Sequence, residues 1–132
     1  MDVLPRAIFP VAFNWNQWVG IPSTQYGDCW EFIRALVLAA LGVDLSPSQP
    51  DITQMKEAAL SQGAWMPLPP DVRHHPFDVL IFDLEKGRAP HVGVVITPGN
   101  FIHCLAGTES TVDSSYRAFW QHRLSEVYRY TP

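Results

Sequence analysis

From Cys29 onward apolar residues recur at helical spacing, with Ile33, Leu36, Val37 and Ala40 following on one face. Asp28 stands where an N-cap is favoured, Gly27 permits a sharp turn into it, and Gly42 ends the run as a C-cap. Ahead of this helix, residues 1–27 hold Pro5, Pro10, Gly20, Pro22 and Gly27 with Trp15 and Trp18 among them, an irregular aromatic-rich approach. Behind it, Ser46-Pro-Ser-Gln-Pro50 reads as a loop, and Asp51 caps a second predicted helix that runs to about Gln62 and closes at Gly63. Residues 64–76, with Pro67, Pro69, Pro70 and Pro76, read as a connector.

The period then changes. Residues 78–84 form a β-rich run, 85–90 a polar turn, 91–96 a second strand, Thr97-Pro-Gly-Asn100 a turn and 101–105 a third strand. Ser114 is the expected cap of a third helix from about Tyr116 to Leu124, and Glu126 to Tyr130 alternates as a last strand. Helices and strands are segregated, which predicts an α+β fold in which N-terminal helices pack on a central antiparallel β-sheet. Hairpin turns this short cannot join parallel strands.

With 132 residues the chain has the length of one domain, and residues 1–132 are taken as a single one. Hydrophobic residues make up 47% and charged residues 17%, enough for a core without a metal or a disulfide framework. The net charge is −4 and the basic residues are scattered, so no nucleic-acid partner is expected. The start of the chain lacks the basic, long apolar and cleavage-site pattern of a signal peptide, and the longest apolar stretch, residues 35–41, is too short to enter a bilayer as a span. Action outside a cell would therefore need another route of delivery.

The two cysteines differ in setting. Cys29 falls in the first turn of the first helix, where the partial positive charge of the helix end favours a thiolate. Cys104 lies in a predicted strand and reads as a small buried residue. A packed core cysteine is the plain reading of Cys29 taken alone. His91 and His103 change that reading, since they are separated by twelve positions across a short turn. If Val95 faces Phe101, Gly93 faces His103, and His91 becomes the diagonal neighbour of His103 on the same face. Diagonal neighbours have Cβ atoms roughly 7–8 Å apart, within reach of two rings. Gly93 carries no side chain, which leaves the ring of His103 room to lean toward His91.

A thiol, a base and an orienting residue make a nucleophilic triad: Cys29 attacks, His91 takes the thiol proton and returns it to the leaving amine, and His103 holds His91 in one tautomer. His74 and His75, in the proline-flanked connector, and His122, on the third helix, are expected at the surface. Zinc held by Cys29, His91 and His103 lacks the short paired-ligand spacing of structural sites, so neither metal nor cofactor is expected. Trp15, Trp18, Tyr26 and Trp30 crowd the proposed nucleophile. Packing explains most of them, and Tyr26, Trp30 and Trp18 are the candidates for lining a substrate groove. Arg34, one turn from Cys29, reads as a structural charge.

Asp28-Cys29 opening a helix, then Asp78-Val-Leu-Ile-Phe82, His91-Val-Gly-Val-Val95 and Phe101-Ile-His103, resembles the NlpC/P60 family of papain-like cysteine peptidases, over about residues 18–130. The resemblance implies the papain-like NlpC-type fold, the same three roles for Cys29, His91 and His103, and a peptidoglycan stem peptide as substrate, cut between D-glutamate and the diamino acid that follows. Cys29-Trp-Glu-Phe-Ile-Arg34, Leu41-Gly-Val-Asp-Leu45, and the stretch from Phe119-Trp120 through Val127-Tyr-Arg129 are similar to members found in bacteriophage tails and gene transfer agents. That similarity implies a virion or phage-like particle as location, synthesis in the host cytoplasm, other tail proteins as partners, and local opening of the cell wall as the task. Where the family often has Ser and Gly after the nucleophile this chain has Trp30 and Glu31, and where a Gly usually precedes the Asp of the first strand it has Phe77. The upstream family tyrosine has only Tyr26 as a counterpart. Two other functions fit the same residues: a structural tail-tip or assembly subunit with little activity, and an amidase of the same fold. No wall-binding module is legible in these residues, which points to attachment to a larger assembly.

Overall fold

The computed structural model describes residues 13–45, 65–85 and 90–131. A short 3-10 helix, Trp15–Trp18, is capped by the Asn14 side chain, which accepts from the Asn16 N–H. Helix α1, Cys29–Leu41, starts where the sequence pattern places it. The Asp28 carboxylate accepts from the Glu31 N–H at 2.8 Å, and Gly42 leaves the helix at φ 71° with its N–H on the Leu38 carbonyl. These are the cap and left-handed exit that the backbone groups at helix ends require. Phe32, Ile33, Leu36 and Val37 form the buried face. The second predicted helix, residues 51–62, lies outside the described residues.

Six strands form one sheet: β1 Trp65–Leu68, β2 Val79–Phe82, β3 His91–Thr97, β4 Asn100–His103, β5 Thr111–Ser114 and β6 Leu124–Tyr130. They lie in the order β1-β6-β2-β3-β4-β5, and every neighbouring pair is antiparallel. The α+β class and the antiparallel sheet are as the pattern predicts. Among the described residues no helix is long and apolar enough to cross a membrane.

Four local features differ from expectation. Residues 65–68 pair with β6 as a strand rather than forming part of a connector. A proline inside a strand argues for an edge, and β1 is an edge strand. Thr111–Ser114, a polar stretch with no apolar alternation, is the opposite edge strand. The third helix shrinks to α2, Ala118–Gln121. Ser114 does not cap it: the residue belongs to β5 and its hydroxyl accepts from the Tyr116 N–H in a turn. β6 in turn begins earlier than expected, at Leu124, because a bulge at Ile81/Phe82 lets Phe82 pair with Leu124 while the Ser125 hydroxyl bonds the Ile81 carbonyl.

The sheet separates two cores. On one face Phe32, Ile33, Leu36 and Val37 of α1 pack on Val79, Ile81, Val92, Val94, Ile102 and Tyr128. On the other, Trp120 of α2 packs with Leu80, Phe82, Val95, Phe101 and Val127. This two-sided cover explains why all four residues of β2 are buried and why its sequence is a continuous apolar run. A buried ion pair pins the far end of β6: Arg129 Nε and Nη2 donate to the two oxygens of Asp78 at 3.0 and 2.8 Å, and Asp78 also accepts from the His75 N–H at 2.8 Å. Phe77, just before it, sits at φ 70°, the left-handed region that glycine adopts freely and a bulky residue rarely enters.

Candidate active site

Cys29 is the first residue of α1 and is half-buried. Its sulfur lies against the backbone N–H groups of Val92, Trp30 and Cys29 itself, and the Asp28 carboxylate is close by. Burial pushes the thiol pKa up, Asp28 pushes it further, and the N–H groups, Val92 foremost, oppose them. The net direction is upward. The thiolate expected from the helix end alone is therefore not favoured in the free protein, because desolvation outweighs the helix dipole at this position.

His91 opens β3 and His103 closes β4. The pairing Val95↔Phe101 and Val94↔Ile102 is the register anticipated from the sequence, with a bulge between Val95 and Thr97. It brings the two rings together on one face: His91 Nε2 and His103 Nδ1 are 2.8 Å apart, and both residues are buried. Gly93 contributes differently from expectation. A Cβ built there would lie 2.6 Å from Phe101 Cδ2 and 3.2 Å from the Ile102 carbonyl, so the space over Gly93 is filled by the Phe101 ring rather than by His103. Phe101 in turn lies against His103, with ring centroids 4.7 Å apart.

Two further residues complete the group, and sequence reasoning missed both. Asp113 of β5 meets His103 Nε2 with its Oδ2 at 2.9 Å, and its Oδ1 accepts from Arg117 at 2.8 Å. Asp113 pairs with Phe101 in the ladder, which makes it the diagonal neighbour of His103. Its signal was hidden because β5 itself was not legible. Trp120 lies over the histidines, its ring stacked on His91 at 5.7 Å and edge-on to His103 at 4.9 Å. This apolar lid strips water from the pair. Burial, and then the neighbouring His103, lower the His91 pKa to about 3. Burial also lowers that of His103, against the opposing pull of Asp113.

Among the described residues no hydrogen bond joins the Cys29 sulfur to His91. The sulfur approaches the start of β3 at Val92, the neighbour of His91, and the His91 nitrogen not engaged by His103 is Nδ1. Of the groove candidates, Trp30 is buried in the α1 core. Trp18 and Tyr26 are half-buried and stacked on one another at 6.2 Å, both against Phe32. Cys104 is buried, as expected. His74, expected in solvent, is buried with Nε2 3.4 Å from the Pro70 carbonyl, while His75 and His122 are exposed. Arg34 pairs with Glu31 and Asp44 and serves the surface of α1.

Comparison with known proteins adds the lineage. An NlpC/P60 family protein from Bacillus cereus is similar in structure, with a TM-score of 0.60 and 21% identity over 89% of this chain and 38% of that one. A protein from Staphylococcus aureus described as similar to lipoprotein, NLP/P60 family, gives a TM-score of 0.60 and 16% identity over 88% of this chain and 38% of its own. The NlpC/p60 domain of the peptidoglycan hydrolase SagA gives 0.56 and 19% identity over 86% of this chain and 91% of that domain. The chain thus spans well under half of two of these proteins and nearly all of the third. No curated protein sequence matches it. The family model for NlpC/P60 matches residues 15–129, nearly the whole chain, and with it the chain belongs to the NlpC/P60 family of cysteine peptidases.

Proposed function

We propose that the chain is an endopeptidase of peptidoglycan stem peptides, cutting between D-glutamate and the diamino acid, with Cys29 as nucleophile, His91 as base and His103 as the residue that orients the base. The observation that carries this reading is the buried 2.8 Å bond between His91 Nε2 and His103 Nδ1, which leaves Nδ1 as the His91 nitrogen not engaged by His103, on the residue next to Val92, whose backbone N–H the Cys29 sulfur meets. Because the thiol pKa is raised and that of His91 lowered, the resting pair is neutral. The proton moves from sulfur to His91 Nδ1 as the sulfur attacks the scissile carbonyl carbon. The oxyanion that forms is held by backbone N–H groups at the start of α1, which have no intrahelical acceptor. His91 then gives the proton to the departing amine, leaving a thioester on Cys29. Water, deprotonated by His91, hydrolyses that thioester and restores the thiol.

The wall substrate is supported by the family and by the likeness to the hydrolase domain of SagA. A place in a bacteriophage tail or a phage-like particle, alongside other tail proteins, is supported by the similarity of Cys29-Trp-Glu-Phe-Ile-Arg34 and the Phe119-Trp120 ending to tail-associated members. Digestion of purified peptidoglycan by the wild type and by Cys29→Ala, with products identified by mass, tests the reading. New amino termini on the diamino acid, absent with Cys29→Ala, are expected. Release of intact stem peptides would indicate an amidase instead, and no release by the wild type would defeat the peptidase assignment.

A further inference from the structure

The row of polar groups does not stop at the third member of the triad, and its far end has a consequence for the near end. We propose that Asp113 is a positioning residue that decides which nitrogen of His91 carries the proton, acting through His103. The proposal rests on the peptidase reading above for the role of His91, and on hydrogen-bond logic for the rest. A carboxylate can only accept, so the 2.9 Å contact requires His103 to donate from Nε2. A neutral imidazole that donates from one nitrogen accepts at the other. His103 Nδ1 therefore accepts, and the 2.8 Å contact requires His91 to donate from Nε2. The proton of neutral His91 is thereby fixed on Nε2, and Nδ1 is left as the free base.

Without the carboxylate, His103 is free to take its other tautomer. It would then donate from Nδ1, His91 Nε2 would have to accept, and the His91 proton would sit on Nδ1, where it blocks proton removal from Cys29. The surroundings favour one register of this row. His103 is fully buried and Trp120 covers both rings, so the two rings are shielded from water while Asp113, half-buried, closes the row at its outer end. Arg117 holds the second oxygen of Asp113 and fixes the plane of the carboxylate. When His91 takes up the thiol proton, the same carboxylate offsets the positive charge that spreads over the two rings.

The test uses the whole chain carrying 15N-labelled histidine. Imidazole 15N shifts report the His91 tautomer directly, and kcat and KM on a stem-peptide substrate report the consequence. In the wild type His91 should be protonated at Nε2. Asp113→Ala, and Asp113→Asn with its competing donor, should redistribute the proton toward Nδ1 and lower kcat by roughly ten- to a thousandfold with little change in KM. That is smaller than the loss of about 10⁴ seen when a carboxylate touching the base itself is amidated. Val112→Thr, on the same strand but exposed, should change neither readout. A wild-type-like tautomer in both Asp113 variants, or an altered tautomer with unchanged kcat, would overturn the proposal. An inactive wild type would instead sink the peptidase reading, and the 15N shifts would still report whether Asp113 sets the proton position.

Discussion

Acid should weaken this protein well above the pH at which its carboxylates protonate, and His91 is the reason. In the unfolded chain His91 titrates at its ordinary value of 6.5, whereas burial and the adjacent His103 hold it down to about 3 in the folded one. Between those values the unfolded chain binds a proton that the folded chain refuses, so stability rises with pH across the window and is lost as pH falls through it. Each unit of pKa difference is worth about 1.4 kcal/mol. Between pH 7 and pH 5 the loss from His91 alone works out at about 2 kcal/mol, a large share of a typical stability of about 5–15 kcal/mol. His103, also depressed, adds in the same direction. The assay is urea unfolding followed by tryptophan fluorescence at pH 7, 6 and 5, for the wild type and for His91→Gln, which cannot titrate. The wild type should lose stability steadily and His91→Gln distinctly less, the residual slope belonging to His103. A wild-type stability that is flat from pH 7 to 5, or an identical slope in His91→Gln, would refute the assignment of a buried neutral His91.

The same neutral resting pair governs the thiol: alkylation of Cys29 by iodoacetamide should accelerate only as pH rises above the ordinary thiol range, and peptide mapping should still find Cys29 modified before the more deeply buried Cys104. Trp120→Ala should cost about 3–5 kcal/mol in urea unfolding, and by readmitting water it should raise the histidine pKa values toward 6.5 and flatten the pH slope. Gly93→Ala should lower activity by more than it lowers helix content measured by circular dichroism, since a Cβ 2.6 Å from Phe101 must displace the ring that backs His103; unchanged kcat would show that the site tolerates the shift.

What was legible in the sequence follows from where physics writes into it. Helix α1 declared itself because its apolar spacing, its Asp28 cap and its Gly42 exit all agree, and the structure contains all three. The His91–His103 contact was legible because a short turn between two apolar strands fixes the register, and register fixes faces. The edge strands were not. β1 carries Pro67 and β5 reads Thr-Val-Asp-Ser, and each is held by pairing to a single neighbour rather than by its own pattern. Missing β5 meant missing Asp113, because a carboxylate's role depends on the ladder that delivers it. Burial of the site was also beyond reach. The positive end of a helix can be read from sequence, but the desolvation that overrides it at Cys29 depends on tertiary packing.

Phe77 marks the opposite case, where a local rule is broken and the structure shows what compensates. A bulky side chain at φ 70° costs of order 1–3 kcal/mol. The position is over-determined: the Phe77 N–H bonds the Val95 carbonyl at 2.8 Å, the Val95 N–H bonds the Asp78 carbonyl at 2.9 Å, and the Asp78 side chain is clamped by Arg129. The ring also stacks on Trp15 at 4.9 Å and meets Phe13 edge-on. Full burial of such a ring is worth about 1.5–3 kcal/mol, comparable with the strain. The aromatic segment that precedes α1 is thereby tied to the strands that carry the histidines. Cys29 approaches from the α1 face of the sheet while His91 and His103 sit against Trp120 on the other, so the proposed nucleophile and base would meet around the leading end of β3. Anchoring the chain ahead of α1 to the loop ahead of β2, beside Val95 toward the trailing end of β3, ties that aromatic segment to the sheet and gives the bulky residue at Phe77 a physical role.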